Sequence, residues 1–246
     1  MKSASKTVRK LSLTSELVAL CHRDVVDPGP EAEYDYFVDA DYEKAVERLL
    51  KERPGGPFWL FAYGSLIWKP EFPTEESLVG VAEGWHRSFC LHLERFRGSP
   101  EQPGLMMALD TGGRCEGVLL RVSEQDLASQ LYLLLQREVG SHEALESIRW
   151  IDVQSAQGPI RALVSYAHPA HLDYYVNSLP LEKVAYILAR ACGHWGSGAQ
   201  YLHQTVSKLE EFGIHDENLW KLQELVAEEI QRREFTAGQK LAAKGP

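Results

Sequence analysis

Short apolar runs rich in β-branched and aromatic residues, each ended by glycine or proline, occupy the middle of the chain. The first spans residues 58–63 and stops at Gly64 and Ser65, which predicts a buried strand that opens into a tight turn. Similar runs predict strands at 78–93, 105–109, 115–122, 148–154 and 160–166. Several short strands separated by turn residues are typical of an antiparallel sheet or barrel.

Glycine-containing segments predict the turns between these strands. Gly112 and Gly113 are predicted to separate the strand at 105–109 from the strand at 115–122. The Gln-Gly-Pro sequence at 157–159 predicts a hairpin turn between the last two strands, where the barrel would close.

Apolar residues at helical spacing predict helices before, between and after the strands. The first begins at Asp41 and ends at the Pro-Gly-Gly-Pro segment 54–57. A second is predicted over 123–137, with Ser123 as its N-cap. Three more are predicted in the last third of the chain, and we expect them to pack on the outside of the barrel. Their ranges are 181–192, 199–212 and 217–233.

These elements predict an α+β fold in one catalytic domain with helical additions. We expect an N-terminal arm and helix in 1–56, a β-barrel core in 57–170 and C-terminal helices in 171–246. The basic and serine-rich residues 2–10 superficially resemble a targeting segment, but the acidic Glu16 favours a solvated basic arm.

The composition narrows the classes of protein that fit. A net charge of -9 and a pI near 5.5 argue against nucleic-acid binding, because neutralising phosphates requires a basic face. No uninterrupted apolar stretch approaches the ~20 residues that span a bilayer, so we expect a soluble, cytoplasmic protein with no membrane partner. The four cysteines stand far apart without zinc-ligand or disulfide-framework spacing, and we expect them to be reduced and buried.

The familiar catalytic patterns do not fit this chain. Ser65 lacks the GxSxG context of a nucleophile elbow, and the nine histidines include no HExxH, so no metal site is predicted. The glycine-rich segment 193–198 superficially resembles a phosphate-binding loop, but it follows a predicted helix and lacks the P-loop lysine. A connection between two helices is therefore favoured for it. On spacing alone, Gly64 and Ser65 are a plain turn, and Glu138 is a solvated charge beside Arg137.

Five sequence blocks, taken in order, resemble the ChaC-type γ-glutamylcyclotransferases, which act on glutathione. The blocks are FAYGSLIWKPEF at 61–72, GWHRSFCL at 84–91, QPG at 102–104, QRE at 136–138 and AQYL at 199–202. The similarity runs from about residue 17 to about residue 230. The YGSLIW block is specific, whereas each of the others would be weak alone.

The resemblance implies a compact β-barrel with surrounding helices, and it implies roles for particular residues. Glu138 matches the catalytic glutamate of the family. The residues that match its substrate-binding loop are Tyr63, Gly64, Ser65, Leu66, Ile67 and Trp68. Family members commonly place a tyrosine shortly after the glutamate, but this chain has none there, so the exact γ-glutamyl substrate stays open. Ser141 or His142 are the candidates to replace that tyrosine.

The implied chemistry explains why no nucleophile is needed. In a γ-glutamyl compound the α-amine attacks the γ-carbonyl of the same molecule, which releases 5-oxoproline and the remaining amine. The protein has to orient the substrate, move a proton and stabilise an oxyanion, and none of these tasks requires a metal or organic cofactor. Burial of Glu138 would raise its pKa, and Arg137 would oppose that rise if it points inward. Two alternatives remain: a cyclotransferase for another γ-glutamyl compound, and a non-catalytic binding protein on the same barrel.

Overall fold

A computed structural model describes residues 9–30, 35–168 and 174–243 of the 246-residue chain. Contacts within the chain divide it into two compact units. The barrel unit consists of Pro28–His92 and Met107–Ser178. The helical unit consists of Met1–Asp27, Leu93–Met106 and Leu179–Pro246.

The barrel unit is built on a closed barrel with the strand order β1-β3-β2-β4-β5. The strands are β1 (Trp59–Ala62), β2 (Thr74–Leu93), β3 (Gly104–Val122), β4 (Ile148–Ser155) and β5 (Gly158–Ser165). β1 pairs antiparallel with β3 and parallel with β5, and β4 and β5 form an antiparallel hairpin. The predicted α+β barrel is confirmed. The predicted hairpin is confirmed too, but its turn lies at 156–157, since Gly158 and Pro159 already pair with β4.

The core of the barrel explains why β1 has no polar residue. All four residues of β1 are buried, and Phe61 lies opposite Leu119 of β3. Alternate positions of the longer strands complete the cluster, as expected where only one face of a strand is covered. Its buried members are Trp59, Phe61, Ala82, Leu109, Cys115, Leu119, Ile151, Val153, Ala162, Val164 and Tyr166.

The predicted turn at Gly112 and Gly113 is wrong, because both residues lie inside the single long strand β3. Their φ angles are 95° and 76°, and Gly84 of the neighbouring β2 has a φ of 81°. Positive φ favours glycine both in hairpin turns and where a paired strand bends, so the sequence signal is the same in the two cases. Here it marks a bend within the two longest strands.

Three helices belong to the barrel unit: α2 (Asp39–Glu52), α3 (Leu127–Glu138) and α4 (His142–Leu145). The predicted helices from Asp41 and over 123–137 are confirmed as α2 and α3, but Ser123 is not the N-cap of α3. The Ser123 hydroxyl accepts a hydrogen bond from the Gln125 N–H at 3.3 Å, and the helix begins only at Leu127. Ser123 therefore forms the turn before the helix.

The helical unit contains α1 (Ser15–Ala19), α5 (Leu181–Leu188), α6 (Gly198–Glu211) and α7 (Glu217–Ala243). The three helices predicted in the last third of the chain are confirmed. The predicted helix over 181–192 ends earlier, at Leu188. Its last predicted residue, Cys192, lies in a two-stranded sheet of β6 (Cys192–Gly193) and β7 (Gly196–Ser197).

These elements leave two sequence expectations untested and test a third only for the described helices. Residues 1–8 of the predicted basic arm lie outside the described residues. The division at residues 56 and 170 stays a prediction. Among the helices that the structure describes, none is both long enough and apolar enough to cross a bilayer.

Candidate active site

The turn predicted after β1 is a single 3₁₀ turn over Ser65–Ile67. The Ile67 N–H donates to the Gly64 carbonyl at 3.0 Å, and the Lys69 N–H donates to the Ser65 carbonyl at 2.8 Å. The N–H groups of Gly64, Ser65 and Leu66 come before the first of these bonds and have no acceptor inside the turn. Such groups can bind an anion or a polarised carbonyl oxygen.

Arg87 of β2 bonds to the start of this turn. Its side chain is buried, and its Nε donates to the Tyr63 carbonyl at 2.7 Å. Its Nη2 donates to the Glu116 carbonyl on β3. One buried guanidinium therefore ties the end of β1 to both of the longer strands.

Gly117 of β3 allows the end of β1 to come close. A Cβ atom at position 117 would lie 2.6 Å from the Phe61 ring and 2.7 Å from the Ala62 carbonyl oxygen. Both distances are far inside van der Waals contact, so only glycine fits without moving β1. The position of the 63–68 loop depends on this close approach.

Glu138 is the last residue of α3, and its side chain is 21% exposed. The Arg137 Nε lies 3.1 Å from the Glu138 Oε1. Burial raises the pKa of the Glu138 carboxyl above its ordinary value, and the charge and hydrogen bond of Arg137 partly offset that rise. A carboxylate with a raised pKa is a stronger base, which suits proton transfer from an ammonium group.

Arg137 brings the 63–68 loop and Glu138 together, although they are about seventy residues apart in sequence. Its Nη2 donates to the Ser65 Oγ at 2.7 Å, and its Nη1 donates to the Lys69 carbonyl. The same Nη1 lies 3.6 Å from the Glu71 carboxylate. From the sequence, Arg137 is only a charge beside Glu138. The one sequence signal for a larger role is its place immediately before that glutamate.

The predicted loop residues differ in how far their side chains are covered. Ile67 is 6% exposed and belongs to the core, so its side chain anchors the loop. Tyr63 is half-buried and packs against the barrel core cluster. The loop side chains that are half-buried, and that leave part of their surface accessible, are Tyr63, Ser65, Leu66 and Trp68. Their roles toward a substrate stay predictions.

The segment after Glu138 is held by residues on and just before α2. The Tyr42 hydroxyl donates to the Val139 carbonyl at 3.0 Å, and the Phe37 N–H donates to the Gly140 carbonyl at 2.9 Å. These bonds fix the chain where family members commonly carry a tyrosine.

The two candidate replacements for that tyrosine have structural contacts of their own. The Ser141 Oγ accepts a hydrogen bond from the Ala144 N–H at 3.2 Å, so it caps α4. The His142 ring packs against Phe37 at 4.7 Å, and its Nε2 lies 3.8 Å from the Asp41 carboxylate. Neither contact directs these side chains to Glu138.

The second glycine-rich segment, 193–198, connects two helices as predicted. It follows α5 and leads into α6 through the β6–β7 pair. The Ser197 Oγ accepts a hydrogen bond from the Gln200 N–H at 3.1 Å, and the Ser197 carbonyl accepts one from the Arg97 Nη1 at 3.2 Å. The polar atoms of Ser197 are therefore used in bonds within the helical unit.

Comparison with curated proteins finds relatives over about two thirds of the chain. A glutathione-specific γ-glutamylcyclotransferase of Escherichia coli is 38% identical over 164 residues, which are 67% of this chain and 70% of that protein. A human glutathione-specific γ-glutamylcyclotransferase 1 is 29% identical over 167 residues, 65% of this chain and 74% of the relative.

A solved structure and a family model each match about 70% of this chain. A yeast γ-glutamylcyclotransferase specific to glutathione superposes with a TM-score of 0.61 at 18% identity, over 70% of this chain and 99% of the yeast chain. That likeness supports the fold alone. The family model described as ChaC-like protein matches residues 58–229, which include the 63–68 loop, Arg137 and Glu138. The chain therefore belongs to the ChaC-like protein family.

Proposed function

We propose that the protein is a γ-glutamylcyclotransferase that converts glutathione into 5-oxoproline and cysteinylglycine. The observation that carries the proposal is the pairing of a largely covered carboxylate, Glu138, with a turn of N–H groups through Arg137. The ChaC-like family and the names of its curated relatives support the same reaction.

The proposed reaction begins with proton transfer from the substrate α-ammonium to the Glu138 carboxylate. The freed amine nitrogen attacks the γ-carbonyl carbon, and the carbonyl oxygen takes up the negative charge of a tetrahedral intermediate. When the intermediate collapses, the bond from the γ-carbon to the cysteinyl nitrogen breaks, and Glu138 returns its proton to the leaving nitrogen. The ring nitrogen still carries one proton more than the lactam holds, and it passes this proton through the carboxylate to the leaving amine, so the products are the neutral lactam and the ammonium form of cysteinylglycine. No water is consumed, and the carboxylate is regenerated.

The 63–68 loop supplies the complementary half of the site in this proposal. The Ser65 Oγ accepts a hydrogen bond from Arg137, which leaves its own O–H free to donate toward the substrate. The first N–H groups of the turn add further donors. Donors fixed before the reaction stabilise an oxyanion without a cost of reorganisation.

The proposal includes neither a metal nor an organic cofactor, because the substrate supplies its own nucleophile. We also propose that the protein is cytoplasmic and binds neither nucleic acid nor membrane. The four cysteines are buried and none forms a disulfide, which suits a compartment that keeps thiols reduced. The net charge of -9 disfavours binding to phosphate backbones.

A second candidate is a cyclotransferase for a different γ-glutamyl peptide or amine. The observation that favours it is the segment after Glu138, which has no tyrosine and whose Ser141 caps α4. A tyrosine hydroxyl at that place would help to orient the substrate. Its loss would relax the choice of leaving amine while the γ-glutamyl half is still bound.

Purified protein supplied with glutathione, γ-Glu-Cys or γ-Glu-Ala, with 5-oxoproline as the readout, tests these proposals. We expect glutathione to be the best of the three substrates. Faster turnover of γ-Glu-Ala would reject glutathione and keep the reaction class. Tight binding of glutathione without any 5-oxoproline would instead support a non-catalytic binding protein.

A further inference from the structure

Arg137 has contacts that a charge beside a glutamate does not need. Its side chain is only 17% exposed, and its donors point in two directions. Nε faces Glu138, while Nη1 and Nη2 face the Lys69 carbonyl and the Ser65 hydroxyl. The guanidinium therefore lies between the two parts of the proposed site and bonds to both.

We propose that Arg137 is a positioning residue that holds the 63–68 loop and the Glu138 carboxylate in one fixed arrangement. This inference rests on the proposed cyclotransferase function. Arg137 itself forms no bond with the reacting atoms in this account. It sets the distance between the proton acceptor and the donors that receive the γ-carbonyl oxygen.

The planar guanidinium suits this task in a way that a lysine does not. Its N–H groups form a rigid fork, so bonding one edge to the loop fixes the direction of the Nε–H toward Glu138. A lysine ammonium carries the same charge on a flexible stem and cannot reproduce three directed bonds of fixed geometry. Replacing Arg137 by lysine therefore separates the contribution of its shape from that of its charge.

The surrounding charges show how Arg137 also affects the protonation of Glu138. Burial raises the pKa of Glu138, and Arg137 is the group that lowers it. On the loop side Lys69 and Glu71 pair with each other at 2.9 Å, and Glu71 also faces Arg137. On neighbouring elements, the Tyr42 hydroxyl of α2 bonds to the Val139 carbonyl just after Glu138, and His142 of α4 faces the Asp41 carboxylate of α2.

The sign of the pH effect follows from these contacts. The base must be ionised, so activity falls when the pH drops through the pKa of Glu138. Removing the positive charge of Arg137 raises that pKa further. The acidic limb of the kcat/KM profile then moves to higher pH.

The experiment compares Arg137→Lys and Arg137→Met with the wild-type protein, and Arg161→Lys and Arg161→Met serve as matched controls. Arg161 pairs with Asp152 across β4 and β5 at 3.0 Å, where both side chains are about half exposed. We measure kcat and KM for glutathione as a function of pH, glutathione affinity by calorimetry, and folding by circular dichroism.

We expect both Arg137 variants to lose about 10²-fold in kcat/KM, the scale of a small misplacement of reacting groups. In Arg137→Met the acidic limb should also move to higher pH, whereas in Arg137→Lys it should stay near the wild-type position. The Arg161 variants should match the wild type. Loss of an arginine with a purely structural role would not shift the acidic limb of the kcat/KM profile.

Two outcomes would overturn the inference. A folded Arg137→Lys within about twofold of the wild-type kcat/KM would show that the fork is not required. The lysine variant alone decides this if Arg137→Met does not fold. If the wild-type protein released no 5-oxoproline, the proposed function would fail, and unchanged glutathione affinity in Arg137→Lys would then reject the positioning role separately.

Discussion

Of the glycine-serine segments that the structure describes, the ones at Gly64–Ser65 and Gly196–Ser197 have serines with clearly different bonding partners. Ser65 follows β1 in the barrel unit, and its hydroxyl accepts a hydrogen bond from the side chain of Arg137. Ser197 precedes α6 in the helical unit, and its hydroxyl accepts one from the Gln200 N–H three residues away. One serine bonds to a distant element that carries a carboxylate, whereas the other completes the local hydrogen bonding of a helix end.

We expect this difference between a turn that binds substrate, as proposed for Ser65, and a structural turn of similar composition. Ser197 is 2% exposed, and its hydroxyl oxygen is used by the N-terminus of α6. Ser65 is half-buried and keeps a free O–H beside N–H groups that its own turn does not use. The glycine and serine content is shared, so the partner of the serine is the informative feature.

The largest expected effect concerns Glu138, whose neighbour Arg137 bonds to Ser65 of the first turn. Glu138→Gln keeps the shape and polarity of the side chain but cannot accept the ammonium proton. We expect turnover to fall by ~10²–10⁴-fold, or roughly 3–5 kcal/mol of barrier, while glutathione binding changes far less. Release of 5-oxoproline and calorimetric affinity, measured on the same variant, check both parts.

Glu47→Gln, which changes an exposed carboxylate of α2, is the matched control for this substitution. It should leave turnover unchanged. A folded Glu138→Gln protein within a few-fold of the wild-type rate would remove Glu138 from the role of base. Glu143 would then be the next carboxylate to substitute.

A smaller effect is expected at the serine of the first turn. Ser65→Ala removes the hydroxyl that Arg137 orients, and the loss of one such donor costs about 10²-fold in kcat when it serves the oxyanion. The unfolding midpoint should barely change, because half-buried surface positions seldom contribute more than about 0.5 kcal/mol. Unchanged steady-state kinetics would make Ser65 a plain turn residue and remove the contrast with Ser197.

The smallest effect on activity is expected at the serine of the second turn. Ser197→Ala leaves the Gln200 N–H without its acceptor, which should lower the free energy of unfolding by about 1 kcal/mol, the usual value of an N-cap. Turnover per folded molecule should stay at the wild-type level. Denaturant unfolding followed by kinetics on the same sample tests this prediction, and a fall in kcat with normal stability would contradict it.

The barrel and its strands could be predicted from sequence because apolar runs and their turn residues are local signals. Residues 58–63 contain β1, and 148–154 and 160–166 correspond closely to β4 and β5. The turn predicted at Gly112 and Gly113 is wrong, because positive φ is needed both in a turn and in a bend of paired strands. The choice between the two depends on β2, which is a partner about thirty residues earlier in the chain.

The residues of the candidate site were predicted from the resemblance to a family. The contacts between those residues could not be predicted. Spacing alone assigned Glu138 to the solvent, because the sequence does not show that Ser65 and Lys69 bond to the adjacent Arg137. The role of Arg137 depends on three bonds, and two of them reach residues about seventy positions away. A pattern within one helix holds no information about such contacts.

The close approach of β1 to Gly117 has a consequence for mutational scanning of this protein. A library scored only by total activity would rank Gly117 and Glu138 as similarly intolerant, although Gly117 contributes no chemical group. At Gly117 every side chain meets the Phe61 ring and the Ala62 carbonyl, so variants would be lost from the folded population. At Glu138 variants would accumulate as folded, inactive protein. Abundance and activity scored in parallel would therefore distinguish the position that shapes the loop from the position that we propose moves the proton.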